Sequence, residues 1–183
     1  GVDISSELIK EAKKLSPKEI AYEVSKANDL KSINNESFDI ATIILAIQNI
    51  EDMNGAFAEA SRILKKDGRL VLVIMHPAFR IPEGSSWGYD EKEGIQYRRV
   101  DRYLSLAKTE LLVHPGKENS PVTISYHRSL QDFSKSLFKN KFAITRLEEW
   151  ISHKKSQKGP RSKAEDRSRS EFPLFMMIEA TKL

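Results

Sequence analysis

Residues 38–82 constrain the fold more than any other stretch of the chain. They read FDIATIILAIQNI, then a short helical pattern, then DGRLVLVIMHPAFRIP. Asp39 to Ile47 is an apolar run of strand length and rich in Ile, as in a parallel strand covered on both faces; a half-exposed strand would alternate. From Asn54 to Leu64, Phe57, Ala60, Ile63 and Leu64 recur at helical spacing, with Asn54 placed as the cap. Gly68 follows where a helix C-terminus favours positive φ. Leu70 to Met75 is a second apolar strand. Strand, helix, strand is one βαβ unit. Ligands in such sheets sit at the carboxyl ends of the strands, here Ile47-Gln48-Asn49 and His76-Pro77.

A chain of 183 residues, 39% hydrophobic and 31% charged, is enough for one domain with a real core. With no cysteine, disulfides, thiolate zinc sites and cysteine nucleophiles are excluded. Absence of disulfides suits a reducing compartment, so a cytoplasmic setting is expected. No apolar run approaches the length needed to span a bilayer. The net charge of +4 is local. Residues 153–169 hold seven basic side chains against Glu165 and Asp166, or +5, which leaves −1 for the rest. That segment is rich in Ser, Gly and Pro and reads as a solvated loop. A nucleic-acid-binding domain would spread its charge over a folded face.

Upstream, Gly1 to Ile4 reads as the end of a strand, and Ser5 or Ser6 caps a helix through Leu8, Ile9 and Ala12. Pro17 breaks that helix, Ile20 to Val24 reads as a short strand, and Lys31 to Ser37 as a polar turn. The N-terminal third is thus expected to run helix, strand, helix, strand. Downstream, Glu83 to Val100 has turn residues and no core periodicity, the pattern of a long loop that could act as a lid and present Trp87 or Tyr97 to a substrate. Tyr103 to Val113 and Val122 to Tyr126 could pair across HPGKENSP. Leu130, Phe133, Leu137 and Phe138 mark a helix capped by Ser129. Phe142 to Ile151 and Phe172 to Thr181 read as antiparallel strands joined by the basic loop.

GVDIS at 1–5, FDIATIILAIQNIED at 38–52, RILKKDGRLVLVIMHPAFRIP at 62–82 and SEFPLFMMIEATKL at 170–183 together resemble a class I S-adenosylmethionine-dependent methyltransferase of the small-molecule type. SSWGYD and QYRRVDRYLS resemble an uncharacterised bacterial and archaeal branch of that family. The resemblance implies a Rossmann-like α/β fold: a doubly wound, mostly parallel sheet with an antiparallel C-terminal strand pair. It also implies one domain over residues 1–183 with a lid or hairpin insertion at about 83–128. It runs from the family's second strand onward. The first strand and its glycine-rich turn, about 30 residues, are therefore expected to be missing, and the chain alone to be inactive.

The same resemblance implies the cofactor S-adenosyl-L-methionine and a small-molecule methyl acceptor, with no metal, membrane or nucleic-acid partner. Asp3, beside Ile4, holds the position of a carboxylate that accepts hydrogen bonds from both ribose hydroxyls. At the next strand end Lys26 stands where the family usually has an acid, so Ala27 and Asn28 become the expected adenine neighbours. Leu45 and Ala46 fall beneath the methionine part, and Gln48 and Asn49 beside the acceptor. Methyl transfer is an in-line displacement that chiefly needs alignment. An acidic nucleophile would also need a base. His76, at a strand end, is the first candidate and His127 the second. Arg80, Tyr97, Arg99 and Tyr103 are further substrate contacts. Two other readings stay open. One is a non-catalytic Rossmann-like protein binding RNA or a protein partner. The other is a nicotinamide-dependent reductase, whose Tyr-x-x-x-Lys would be Tyr22 and Lys26, here on a strand rather than a helix.

Overall fold

A computed structural model of the chain describes every residue except 115 and 117. A short parallel pair comes first: β1 (Val2–Asp3) and β2 (Glu23–Val24), with α1 (Ser6–Leu15) between them. Ser5 caps α1 by accepting from the Leu8 N–H, and the helix stops at Ser16, before Pro17. β3 (Phe38–Ile44), α2 (Met53–Ile63) and β4 (Leu64–Met75) form the βαβ unit, its two strands parallel. Two antiparallel hairpins follow: β5 (Ser85–Asp90) with β6 (Ile95–Val100), and β7 (Ala107–Leu112) with β8 (Val122–His127). The turn expected between β7 and β8 includes 115 and 117, outside the described residues. α3 (Leu130–Lys139) carries a capping box from Ser129 and Asp132. β9 (Phe142–Trp150), α4 (Ser162–Glu171) and β10 (Phe175–Lys182) complete the chain.

The main sheet has the order β3-β4-β10-β9, and β10 runs antiparallel to both its neighbours. Its core lies on one face. Phe57 of α2 and Leu137 of α3 are fully buried, in one cluster with Leu72 of β4, Phe142 of β9 and Ile178 of β10. β3 contributes only Ala41 and Ile43 to that cluster, while Ile40 and Ile44 on its other face are 47% and 62% exposed. The unbroken apolar sequence of this run predicts cover on both faces, but the structure covers only one. Among the described residues, one edge of β1 and one edge of β3 have no strand partner, leaving backbone groups that a further strand could pair.

Local chemistry moves several boundaries. β3 stops at Ile44, because Leu45 takes a left-handed conformation (φ 50°) and residues 47–49 form a 3-10 turn. The cap of α2 is Asp52, not Asn54: Asp52 Oδ1 accepts from Gly55 N at 2.8 Å. Asn54 instead accepts from Ser136 Oγ and Asn140 Nδ2, tying α2 to α3. No helix fills the connection from β2 to β3. Its backbone bonds to α2 instead: Arg62 donates to the carbonyls of Leu30 and Ile33, and Glu59 accepts from Leu30 N.

Gly68 is not a helix cap. It lies inside β4, and Asp67 takes the positive φ, 63°. A Cβ at Gly68 would sit 2.8 Å from the Lys65 carbonyl oxygen and 3.2 Å from Leu64 Cβ. Gly68→Ala is expected to cost about 1–3 kcal/mol through overpacking. The readout is a lower denaturant midpoint at unchanged slope. An unchanged midpoint would mean that the Lys65 backbone yields without cost.

The long loop expected over 83–100 is the β5–β6 hairpin. Asp90 Oδ1 accepts from the N–H groups of Lys92 and Glu93, and Gly94 (φ 64°) closes the turn. The basic stretch also differs from expectation, because residues 162–171 are helical. α4 rests on β6, where Ser168 Oγ donates to the Gln96 carbonyl at 2.6 Å. Arg161 lies over the Tyr89 ring and pairs with Glu91. Among the described residues no helix is long and apolar enough to cross a membrane.

Candidate functional site

The parallel strands end in polar groups that their neighbours hold in place. After β1, Asp3 is half-buried and its Oδ1 accepts from Ser5 N at 2.7 Å. Its other oxygen accepts no hydrogen bond from a described residue. Since Ser5 supplies the cap of α1, that oxygen is free for a ligand. Ile4 beside it is 69% exposed, apolar surface that a planar ring could cover. Past β2, Ala27 packs against the core and Asn28 donates to Asp52 Oδ2 at 2.9 Å. The Asn28 amide, and then the Gly55 N–H, hold the Asp52 carboxyl below the usual carboxylate range.

At the end of β3 the backbone is strained. A non-glycine residue in the left-handed region costs about 1–3 kcal/mol and persists where its surroundings over-determine it. Leu45 N donates to the Val73 carbonyl at 2.7 Å, and Gln48 Nε2 donates to the Leu45 carbonyl at 2.6 Å. Ala46 follows in an ordinary conformation. The amide oxygen of Gln48 is buried without a partner. Asn49 faces the β7–β8 hairpin, its Nδ2 donating to Thr123 Oγ1 and the Ile124 carbonyl. Asn49 thus has an anchoring role.

His76, at the end of β4, is buried with both ring nitrogens engaged. Nδ1 accepts from the N–H groups of Ala78 and Phe79, at 3.1 and 3.2 Å. The proton is then on Nε2, which donates to Glu149 Oε1 at 2.8 Å. No lone pair is left to take a proton from a substrate, so the ring anchors the turn before Arg80. His127 differs. Its Nε2 donates to the Tyr103 carbonyl at 2.8 Å, which leaves Nδ1 as the lone-pair nitrogen. His127 lines a cavity of about 20 Å³ together with Gln48, Arg80 and Arg128. Such a volume admits about one water-sized group.

Of the other expected contacts, Tyr103 Oη accepts from Leu130 N, which ties it to the start of α3. Tyr97 lies over Gly88 within its own hairpin, its ring 2.4 Å from where a Cβ would be. Arg99 is exposed and pairs with Asp101. Its neighbour Arg98 turns inward instead: Nε donates to the Phe79 carbonyl, Nη2 to Ser85 Oγ, and the guanidinium lies over Trp87. Tyr22 bonds to Ser16 and lies just before the two residues of β2, so Tyr22 and Lys26 do not form the helical pair a reductase needs. Arg128 went unnoticed in the sequence. It is 8% exposed and donates to the carbonyls of Ile47, Ile50 and Glu51. Only its place between an alternating strand and a helix cap hinted at burial.

A family model for a methyltransferase domain matches residues 1–72. The ubiquinone/menaquinone biosynthesis C-methyltransferase UbiE of Rickettsia peacockii is 35% identical over 74 residues, or 38% of this chain. The match spans only 29% of that relative's length. Among solved structures, an S-adenosylmethionine-dependent methyltransferase from Mesorhizobium loti covers the whole chain with a TM-score of 0.73 at 25% identity, over 79% of its own length. A Listeria monocytogenes protein of the same fold gives 0.73 at 23% identity, with the same coverage. The order β3-β4-β10-β9 with β10 reversed and these likenesses show the Rossmann-like fold of the class I S-adenosylmethionine-dependent methyltransferases, and residues 1–72 are similar to a methyltransferase domain.

Proposed function

We propose that the chain binds S-adenosylmethionine across the carboxyl ends of β1, β2 and β3 and takes part in methyl transfer to a small-molecule acceptor. The observation that carries this reading is the half-buried Asp3 carboxylate, with one oxygen committed to Ser5 and the other free. The residues present suit the cofactor: a carboxylate for ribose hydroxyls, and exposed apolar side chains at Ile4 and Leu45. When bound, the cofactor supplies a methyl group on a positively charged sulfur. Ala27 and Asn28 form the edge for the adenine, and Leu45 and Ala46 the floor for the methionine part. Gln48 keeps the strained Leu45 carbonyl in place and Asn49 holds the adjoining turn. The base of this reading is His127, whose Nδ1 can accept a proton while Nε2–H stays on the Tyr103 carbonyl.

Calorimetric titration of the complete protein with S-adenosylmethionine, and separately with NAD, tests the reading. Saturable binding of the first and none of the second is expected. Binding of NAD alone would replace it with a reductase, and binding of neither with a non-catalytic protein.

A further inference from the structure

Among the described residues, the Arg80 guanidinium makes no hydrogen bond and no ion pair, although it is half-buried. It lies 5.0 Å from the centre of the Phe175 ring, which packs one of its faces and supplies no formal charge. Burial pulls its pKa below the ordinary value, and no carboxylate opposes that effect. Arg98 is pulled the same way, by its own burial and then by the charge of Arg80. Two desolvated cations thus stand close together without a counter-charge. Buried charge is costly unless paired, so a site of this kind favours an anion. Arg98 already uses Nε and Nη2 on Phe79 and Ser85, whereas the Arg80 fork is uncommitted. The turn that His76 anchors sets this fork at the cavity beyond β4, beside the unpartnered Gln48 oxygen and His127.

Resting on the methyl-transfer reading above, we propose that the methyl acceptor carries a carboxylate, held by the guanidinium fork of Arg80 at the mouth of this cavity. A planar monoanion matches one planar fork. A phosphate dianion would call for more donors than this corner leaves free. The Gln48 oxygen then takes a hydroxyl or amine proton of the same molecule.

The test uses the complete protein with sodium benzoate as the probe, followed by ligand-observed NMR. Benzyl alcohol and inorganic phosphate are the comparators. Benzoate is expected to bind saturably and benzyl alcohol not at all, with phosphate weaker than benzoate. Arg80→Gln should weaken benzoate about tenfold or more, and Arg80→Lys less, because it keeps the charge without the fork. Equal benzoate affinity in Arg80→Gln, or equal binding of benzyl alcohol, would overturn the inference and leave Arg80 a strut on Phe175. Phosphate binding tighter than benzoate would overturn the carboxylate assignment. S-adenosylmethionine binding is measured on the same samples. If it persists where benzoate fails, only this inference falls. If benzoate binds where S-adenosylmethionine does not, the methyl-transfer reading falls and the anion site stands.

Discussion

Arg128→Ala is expected to destabilise the fold by about 3–4 kcal/mol. A hydrogen bond from a charged donor contributes about 1.5–3 kcal/mol, and several on one side chain are not additive. Arg128 donates to three carbonyls, those of Ile47 at 3.2 Å and of Ile50 and Glu51 at 2.7 Å each. None of the three carbonyls has a β-ladder partner, since they fall in the 3-10 turn and the approach to α2. Burial lowers the Arg128 pKa, and Tyr126, Asp132, Asp52 and Glu51 offset part of that effect. In a chain of this size the melting temperature should fall by roughly 6–15 °C. Arg128→Lys should lose about half as much, because an ammonium cannot span all three acceptors. Arg99→Ala, which removes an exposed pair with Asp101, should stay within about 0.5 kcal/mol. A melt of Arg128→Ala indistinguishable from the parent would mean that water satisfies those carbonyls equally well.

The consequence reaches the site. The 3-10 turn that Arg128 holds is separated from Leu45 only by Ala46 and carries Gln48 and Asn49. Asn49 fastens the same turn to β8 from a second direction. The left-handed Leu45 thus persists because both the turn after it and the Val73 carbonyl across the ladder constrain it.

Much of the fold was legible because it follows from local rules. Period-3.6 spacing at Phe57, Ala60 and Ile63 and at Leu130, Phe133 and Leu137 gave α2 and α3; Ser5 and Ser129 were legible as the caps of α1 and α3, whereas the cap of α2 is Asp52 rather than Asn54. The antiparallel β9–β10 pair followed from two apolar runs near the C-terminus. What could not be read depends on long-range contact. The extent of cover on β3 is decided by what packs on its second face, not by Ile40 or Ile44 themselves. Arg62 and Glu59 satisfy the backbone of residues 30–33 from across the structure, so no helix forms there. The β5–β6 hairpin was missed because Trp87, Tyr89 and Tyr97 do not join the main core, and apolar periodicity detects only what does. Its Asp-Glu-Lys-Glu-Gly turn was the available signal.

In the candidate site, position along the fold is easier to read from sequence than the contacts of each side chain. Asp3 and Leu45 stand at strand ends, where topology alone puts them. The sequence ranks His76 before His127 by its place at a strand end, but what separates the two rings is which backbone groups face each of them. Two amides fill Nδ1 of His76, whereas His127 has a carbonyl on Nε2 and an open Nδ1. Arg98 and Arg99 are likewise adjacent and face opposite ways along a strand, which only the register of β6 decides.

An Asp3 series on the complete protein tests most directly the proposed binding of the S-adenosylmethionine ribose by Asp3. Losing a charge-assisted hydrogen bond costs about 1.5–3 kcal/mol, so Asp3→Ala should weaken binding about 10- to 150-fold. Asp3→Asn should cost less, since its amide oxygen still accepts one hydroxyl. The fold should survive both changes: Ser5 keeps capping α1, and the one bond lost within the chain is that to Ser5 N. Calorimetry on the parent, Asp3→Asn and Asp3→Ala, with circular dichroism to verify the helices, gives the answer. A graded loss in that order at unchanged helicity is the predicted result. Equal affinity in all three, or no binding by the parent, would contradict it.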